Sequence, residues 1–172
     1  MPPAPRQGAC TAEQIDDYYW HCFSSSADPQ ACDAFHRSPA NDACASCIVT
    51  PDTAPLHGPL VSHDDGKTVE INVGGCVALA RGGPGAACGA SVQAVVECTA
   101  AACATCSADA NGPPRCQCET AAQLGACRTY VDAAACVTPY ASAGNSDLAG
   151  CLGGMDFQTR YTPIVRYFCL AQ

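Results

Sequence analysis

Two histidines and two carboxylates fall within nine residues of this chain: His57, His63, Asp64 and Asp65. A histidine beside carboxylates can take a proton as a general base or bind a divalent cation, so these four are the candidate catalytic residues of a small secreted hydrolase. In a strand, His57 and His63 have the same parity and share a face. The competing expectation is a solvated turn, which favours the same residue types. A second constellation is the pair of Cys-x-x-Cys strings, Cys44/Cys47 and Cys103/Cys106. Four thiolates in two such pairs make a tetrahedral structural zinc site, which defines a zinc-stabilised alternative. The 55 residues between the pairs exceed the usual interval, and twelve other cysteines favour disulfides, so no bound metal and no cofactor are expected. Haem attachment is excluded because Ile48 and Ser107 stand where the axial histidine is required. There is no Gly-x-Ser-x-Gly or His-Glu-x-x-His string, and Gly82-Gly83-Pro84-Gly85 lacks the lysine of a phosphate loop.

A third group is aromatic: Tyr18-Tyr19-Trp20-His21. On a helix Trp20 points about 100° or more away from the stripe of Ile15 and Cys22. Tyr19 and Trp20 are therefore candidate binding residues for an extracellular protein or glycan. Packing of Trp20 on the aromatic C-terminal segment would explain it as simply.

These groups depend on elements that the local sequence predicts. Residues 1–9 are Pro-rich and read as a flexible lead. Thr11 and Gln14 fit a capping box opening a helix that ends near Phe23, and Pro29 suits the first position of a second helix through about His36. The strongest strand signal is Thr68 to Val73, where Val69, Ile71 and Val73 alternate with polar residues. A hairpin through Asp64-Asp65-Gly66 with Gly66 left-handed would set Val61 against Val69 and Pro59 against Ile71; a two-residue Asp65-Gly66 turn would set Val61 against Glu70. The longer loop brings the apolar groups together and is the expected one. A helix is expected from about Ala87 to Cys98, presenting Cys88 and Cys98 to one neighbouring element, and another from Glu119 to about Cys136. Asp109 to Pro114 reads as a boundary, the Gly/Ser/Asn stretch through Asn145 as a loop, and residues beyond it as an aromatic tail.

The cysteines organise the whole. Cys10, Cys22 and Cys32 recur 66 residues later as Cys76, Cys88 and Cys98, and Cys44/Cys47 recur as Cys103/Cys106 after a seven-residue shortening. The chain reads as two related modules, 10–50 and 76–110, with a hairpin connector at 51–75 and a cysteine-rich extension at 111–172 carrying Cys116, Cys118, Cys127, Cys136, Cys151 and Cys169. Sixteen cysteines in 172 residues imply eight bridges and an oxidising compartment. Each module holds an odd number, so at least one cysteine from each pairs outside it, most simply by joining the modules into one domain. Equivalent cysteines should then have equivalent partners.

No Phe, Tyr or Trp lies between Phe35 and Tyr130, so small side chains and half-cystines must fill that part of the core, with cross-links compensating for the little area they bury. Sixteen acids against eight bases give a net charge of −8, which disfavours nucleic acid and anionic membranes. No apolar run is long enough for a membrane span. The opening Met1-Pro2-Pro3-Ala4-Pro5 has no signal-peptide character and reads as a mature form with a new initiator. Gln7-Gly8-Ala9-Cys10 is similar to a lipoprotein cleavage box, but the repeat assigns Cys10 to a structural bridge.

Val73-Gly74-Gly75-Cys76-Val77-Ala78-Leu79 and Ala102-Cys103-Ala104-Thr105-Cys106, in this Ala/Cys-rich setting, resemble secreted cysteine-rich proteins of myxobacterial type. That resemblance implies an extracellular or envelope location and carries over no activity. The expectation is a small disulfide-rich, mainly helical domain with one hairpin. Its expected function is that of a secreted binding or structural module recognising a protein or carbohydrate surface.

Overall fold

The computed structural model describes residues 1–5, 7–83, 85–106, 115–141, 146–154 and 156–171. It is mainly helical, with a small sheet, and is tied by seven disulfides among the described residues. Bridges of this number belong to an oxidising compartment. No described helix is long and apolar enough to cross a membrane.

The first helix, α1 (Ala12–Cys22), opens with the expected capping box: the Thr11 hydroxyl accepts from the Gln14 amide, and the Gln14 side chain accepts from the Thr11 amide. Pro29 begins α2 (Pro29–Arg37), where Asp28 caps the Gln30 amide. A 3-10 turn leads into α3 (Asp42–Ile48), which runs straight into a strand the sequence did not announce, β1 (Val49–Pro51).

β1 pairs in parallel with β2 (Leu60–His63), and β2 pairs antiparallel with β3 (Thr68–Ile71). The hairpin exists, but its register corrects the expected one: Val61 faces Glu70 and Leu60 faces Ile71. Four residues connect the strands, with Asp64 at φ 51° and Gly66 at φ 88° closing the turn. The apolar-matching rule failed because β2 is the central strand and both Leu60 and Val61 are fully buried, so neither of its faces is a solvent face. The expected strand also stops early. Asn72 turns the chain into α4 (Val73–Arg81), accepting the Gly75 amide at 2.8 Å and donating to the Gly58 carbonyl at 3.1 Å.

α4 packs on α5 (Gly85–Ala102) at close range through Gly74 and Gly89. A Cβ on either would fall inside contact distance of the other's carbonyl oxygen, so the crossing requires glycine at both. Cys88 and Cys98 do not share one element but bond the two flanks of one helix. Cys98 bonds Cys127 at the N-cap of α7 (Arg128–Ala134), and Cys88 bonds Cys136 in the 3-10 turn that follows it. The helix expected from Glu119 to Cys136 is instead two, α6 (Arg115–Leu124) and α7, broken at Gly125, whose amide caps the Ala121 and Ala122 carbonyls. The short α8 (Thr138–Ala141) and α9 (Ser146–Leu152) follow. The expected boundary at 109–114 and loop positions 142–145 lie outside the described residues.

The aromatic tail is a helix, α10 (Phe157–Cys169), capped by Asp156, whose carboxylate the Thr159 amide and hydroxyl hold below the usual range. It fills the main core with Tyr161, Ile164, Val165 and Phe168, against Ile15, Tyr18, Ile48, Leu60, Val77 and Leu148. Tyr161 donates to the Ile15 carbonyl at 3.0 Å, and burial raises its phenol. Described residues of the expected flexible lead make backbone hydrogen bonds to the rest of the chain. The Ala4 amide donates to the His57 carbonyl, the His57 amide to Pro2, and the Gln7 amide to Phe168.

The pairing corrects two expectations. Among the described residues no bridge joins the two modules; Cys47 of the first and Cys76, Cys88, Cys98 and Cys103 of the second all bond the C-terminal extension. Equivalent cysteines also have unlike partners: Cys22 bonds Cys32 within its module and Cys10 bonds Cys44, whereas their counterparts Cys88 and Cys76 bond Cys136 and Cys151. In the first module a Pro-initiated second helix returns beside the first, while in the second one 18-residue helix replaces that hairpin and cannot fold Cys88 back on Cys98.

Candidate functional site

His63 ends β2 on the same face as Val61, diagonal to Glu70 across the antiparallel pair. On its other side, β1 runs on to Asp52, whose amide bonds the Ser62 carbonyl. The register therefore places His63 between two carboxylates. Its Nδ1 lies 3.3 Å from Asp52 Oδ2 and its Nε2 3.4 Å from Glu70 Oε2. Glu70 continues the chain inward: Gln93 Nε2 of α5 donates to Glu70 Oε1 at 2.6 Å, and Gln93 Oε1 accepts the Gly74 amide at 2.9 Å. Burial raises the Glu70 carboxyl, repulsion from Glu97 raises it further, and His63 and Gln93 pull it back.

The sequence-derived group is thus divided. His57 is 8% exposed and lies outside β2, its Nε2 3.3 Å from the Asp52 carbonyl oxygen and its Nδ1 without a hydrogen-bond partner. Asp64 is exposed at the turn, and the Asp65 side chain lies outside the described residues. Asp52 and Glu70 were missed, since only the strand register brings them to His63, and Gln93 was missed because it reaches Glu70 from α5. A ring with a carboxylate at each nitrogen turns neither nitrogen toward a substrate, and two nitrogens on opposite edges cannot bind one ion together with both acids. The arrangement links β1 to β2 through His63 and Asp52, and β3 to α5 through Glu70 and Gln93, while His63 Nε2 faces Glu70 without a hydrogen bond.

The zinc alternative built on two Cys-x-x-Cys pairs is corrected. Cys44 bonds Cys10, Cys47 bonds Cys169 and Cys103 bonds Cys118, so the four sulfurs sit in three separate bridges or, for Cys106, alone. Among the described residues, two groups bring three ligand atoms within 4.8 Å of one another: Cys22, Cys32 and His36, and Cys103, Cys106 and Cys118. In the first, Cys22 and Cys32 are bridged, and His36 Nε2 lies 3.2 Å from the Tyr18 hydroxyl, which burial pushes up to about 12. Fourteen of the sixteen cysteines expected to bridge do so; Cys106 does not, and the Cys116 side chain lies outside the described residues.

Tyr18, Tyr19 and Trp20 separate by helical phase. Tyr18 is buried against Phe23 and Phe35. Tyr19 packs on Tyr161 of α10 at 5.2 Å between ring centroids, taking the place proposed for Trp20. Trp20 stays 54% exposed, its ring edge-on to Tyr19 at 5.3 Å. The backbone beneath it is fixed, because the Arg166 guanidinium of α10 grips both oxygens of Asp16, one turn before Trp20, at 3.1 Å. The indole thus stands on a clamped helix within a turn of two carboxylates, Asp16 and Asp17. No family model, curated protein or solved structure matches the chain.

Proposed function

We propose that this protein is a secreted or envelope-surface binding module that holds a neutral saccharide against Trp20. The observation that carries this reading is the exposure of the indole on a helix whose position is set by a capping box, by Tyr19 on Tyr161 and by the Arg166–Asp16 pair. A flat aromatic face supplies the apolar half of sugar recognition, and carboxylates one turn away accept hydroxyl protons. The net charge of −8 favours a neutral glycan over an anionic one. The seven bridges and the resemblance to secreted cysteine-rich proteins of myxobacterial type support the location.

Trp20 is the chain's single tryptophan, so its fluorescence reports the site directly. Titration with soluble cello-, xylo- and chito-hexaose should give a saturable blue shift with at least one of them. Trp20→Ala should abolish retention on the matching insoluble polysaccharide while leaving the melting curve unchanged. Absence of any shift, or undiminished retention of the variant, overturns the proposal; capture of a protein instead of a glycan on the same face would do so too.

A further inference from the structure

The C-terminal half contains a second, small core made almost wholly of sulfur: Cys103, Ala122 and Cys127, with Cys98, Cys106 and Cys118 packed against it. The Cys103–Cys118 bridge staples the end of α5 to α6, and Cys98–Cys127 staples α5 to α7. Among the described residues Cys106 carries a free thiol, and its sulfur lies within 4.8 Å of both sulfurs of the Cys103–Cys118 bridge. The Cys106 amide bonds the Cys103 carbonyl at 3.0 Å, so the two residues share one tight turn. Cys106 and Cys118 are half-buried and within reach of water; Cys103 is buried.

We propose that Cys103, Cys106 and Cys118 form a thiol–disulfide exchange site that moves the α5–α6 staple onto the turn itself. Cys106 gives its proton to water, and the turn brings the thiolate round to attack Cys103 Sγ. The Cys103–Cys106 bond forms as Cys103–Cys118 breaks. The electron pair leaves on Cys118 Sγ, which takes a proton from water. One thiol and one disulfide stand on each side of the step, so neither oxidant nor reductant is needed. The released thiol has an acceptor in place, since Cys118 Sγ lies 3.9 Å from the Ala102 carbonyl oxygen.

The two bridges differ in what they hold. Cys103–Cys118 spans 15 residues and ties α6 to α5, whereas Cys103–Cys106 closes a single turn and removes that tie, the one bridge between α5 and α6 among the described residues. Exchange therefore loosens α6, whose Leu124 is already 70% exposed, without changing the redox state of the protein.

The full chain, purified oxidised and kept free of reductant, is incubated at pH 5 to 8, quenched with acid and N-ethylmaleimide, and mapped by peptide mass. Label is expected at both Cys106 and Cys118, with the approach to that mixture faster at higher pH, since the thiolate is the attacking species. Cys106→Ala should carry no label at Cys118, with the other six bridges intact as a check on folding. Cys118→Ala should form Cys103–Cys106. Label confined to Cys106 at every pH, no label at all, or a Cys118→Ala protein in which Cys103 and Cys106 fail to pair overturns the proposal.

Discussion

Removing the Cys47–Cys169 bridge should cost more than removing Cys22–Cys32, and the size of the difference follows from the connectivity. Taken alone, the first closes a loop of 122 residues, worth about 4.9 kcal/mol of unfolded-chain entropy at 25 °C, and the second a loop of 10, worth about 2.7 kcal/mol. The bridges are not independent, however. In the unfolded but still cross-linked chain a shorter path joins Cys47 to Cys169, running to Cys76, across to Cys151 and on to Cys169, about 47 residues in all. That reduces the first value to about 4 kcal/mol. No other bridge shortens the loop from Cys22 to Cys32, so its value stands. Cys47 and Cys169 are fully buried where α3 meets α10, so replacing both by Ala also removes sulfur from a packed site and adds to the cost, while Cys22 and Cys32 are half-buried. The gap should be at least about 1.3 kcal/mol. Urea unfolding of Cys47→Ala/Cys169→Ala and of Cys22→Ala/Cys32→Ala, both without reductant and extrapolated to water, measures it. Equal losses, or a larger loss for Cys22–Cys32, would refute the assignment of stability to loop closure.

The Glu70 carboxyl is raised in the folded protein, chiefly by burial and then by Glu97, so ionising it works against the fold. The folded state holds that proton more tightly than the unfolded one, and the stability it confers is present at low pH and lost as pH rises through the folded value. Glu70→Gln keeps the acceptor for Gln93 and does not titrate, so its melting temperature relative to wild type should climb as pH increases from about 4; a constant or shrinking difference would show that His63 outweighs burial. Asn72 is fully buried with both halves of its amide engaged. Asn72→Ala removes the α4 cap and strands the Gly58 carbonyl, for a loss of about 2–4 kcal/mol by chemical denaturation. Asn72→Asp restores the acceptor for the Gly75 amide but turns an anion toward that carbonyl, so a full rescue would mean that the cap alone matters.

What the sequence disclosed and what it hid divide by the range of the interaction. The capping box at Thr11, the Pro29 helix start and the left-handed Gly66 each depend on atoms a few residues apart, and each is found where the sequence indicated. The shared side of Cys88 and Cys98 was legible for the same reason, because helical phase alone sets it, whereas their separate partners before and after α7 were not. The hairpin register was not. Alternation gives a strand two faces but does not say which is covered, and β1, too short to be announced by its own three residues, covers the edge of β2 and makes it central.

That hidden strand also accounts for the polar cluster. Asp52 reaches His63 because β1 runs parallel beside β2, and Glu70 reaches it because the register is offset from the one apolar matching would choose. Had Val61 faced Val69, His63 and Glu70 would lie on opposite faces and the link from the sheet through Gln93 to α5 could not form. The cysteine repeat misled in the complementary way. Spacing along the chain is similar in the two halves, but a bridge requires Cα atoms about 5–6 Å apart, which depends on whether the intervening residues double back. Between Cys22 and Cys32 they do, through Ser24 to Asp28, and the Cα atoms come within 5.0 Å; between Cys88 and Cys98 an unbroken helix holds them about 15 Å apart. The same ten-residue interval is a closed loop in one half and a rigid spacer in the other, so the second half must draw its partners from the C-terminal extension.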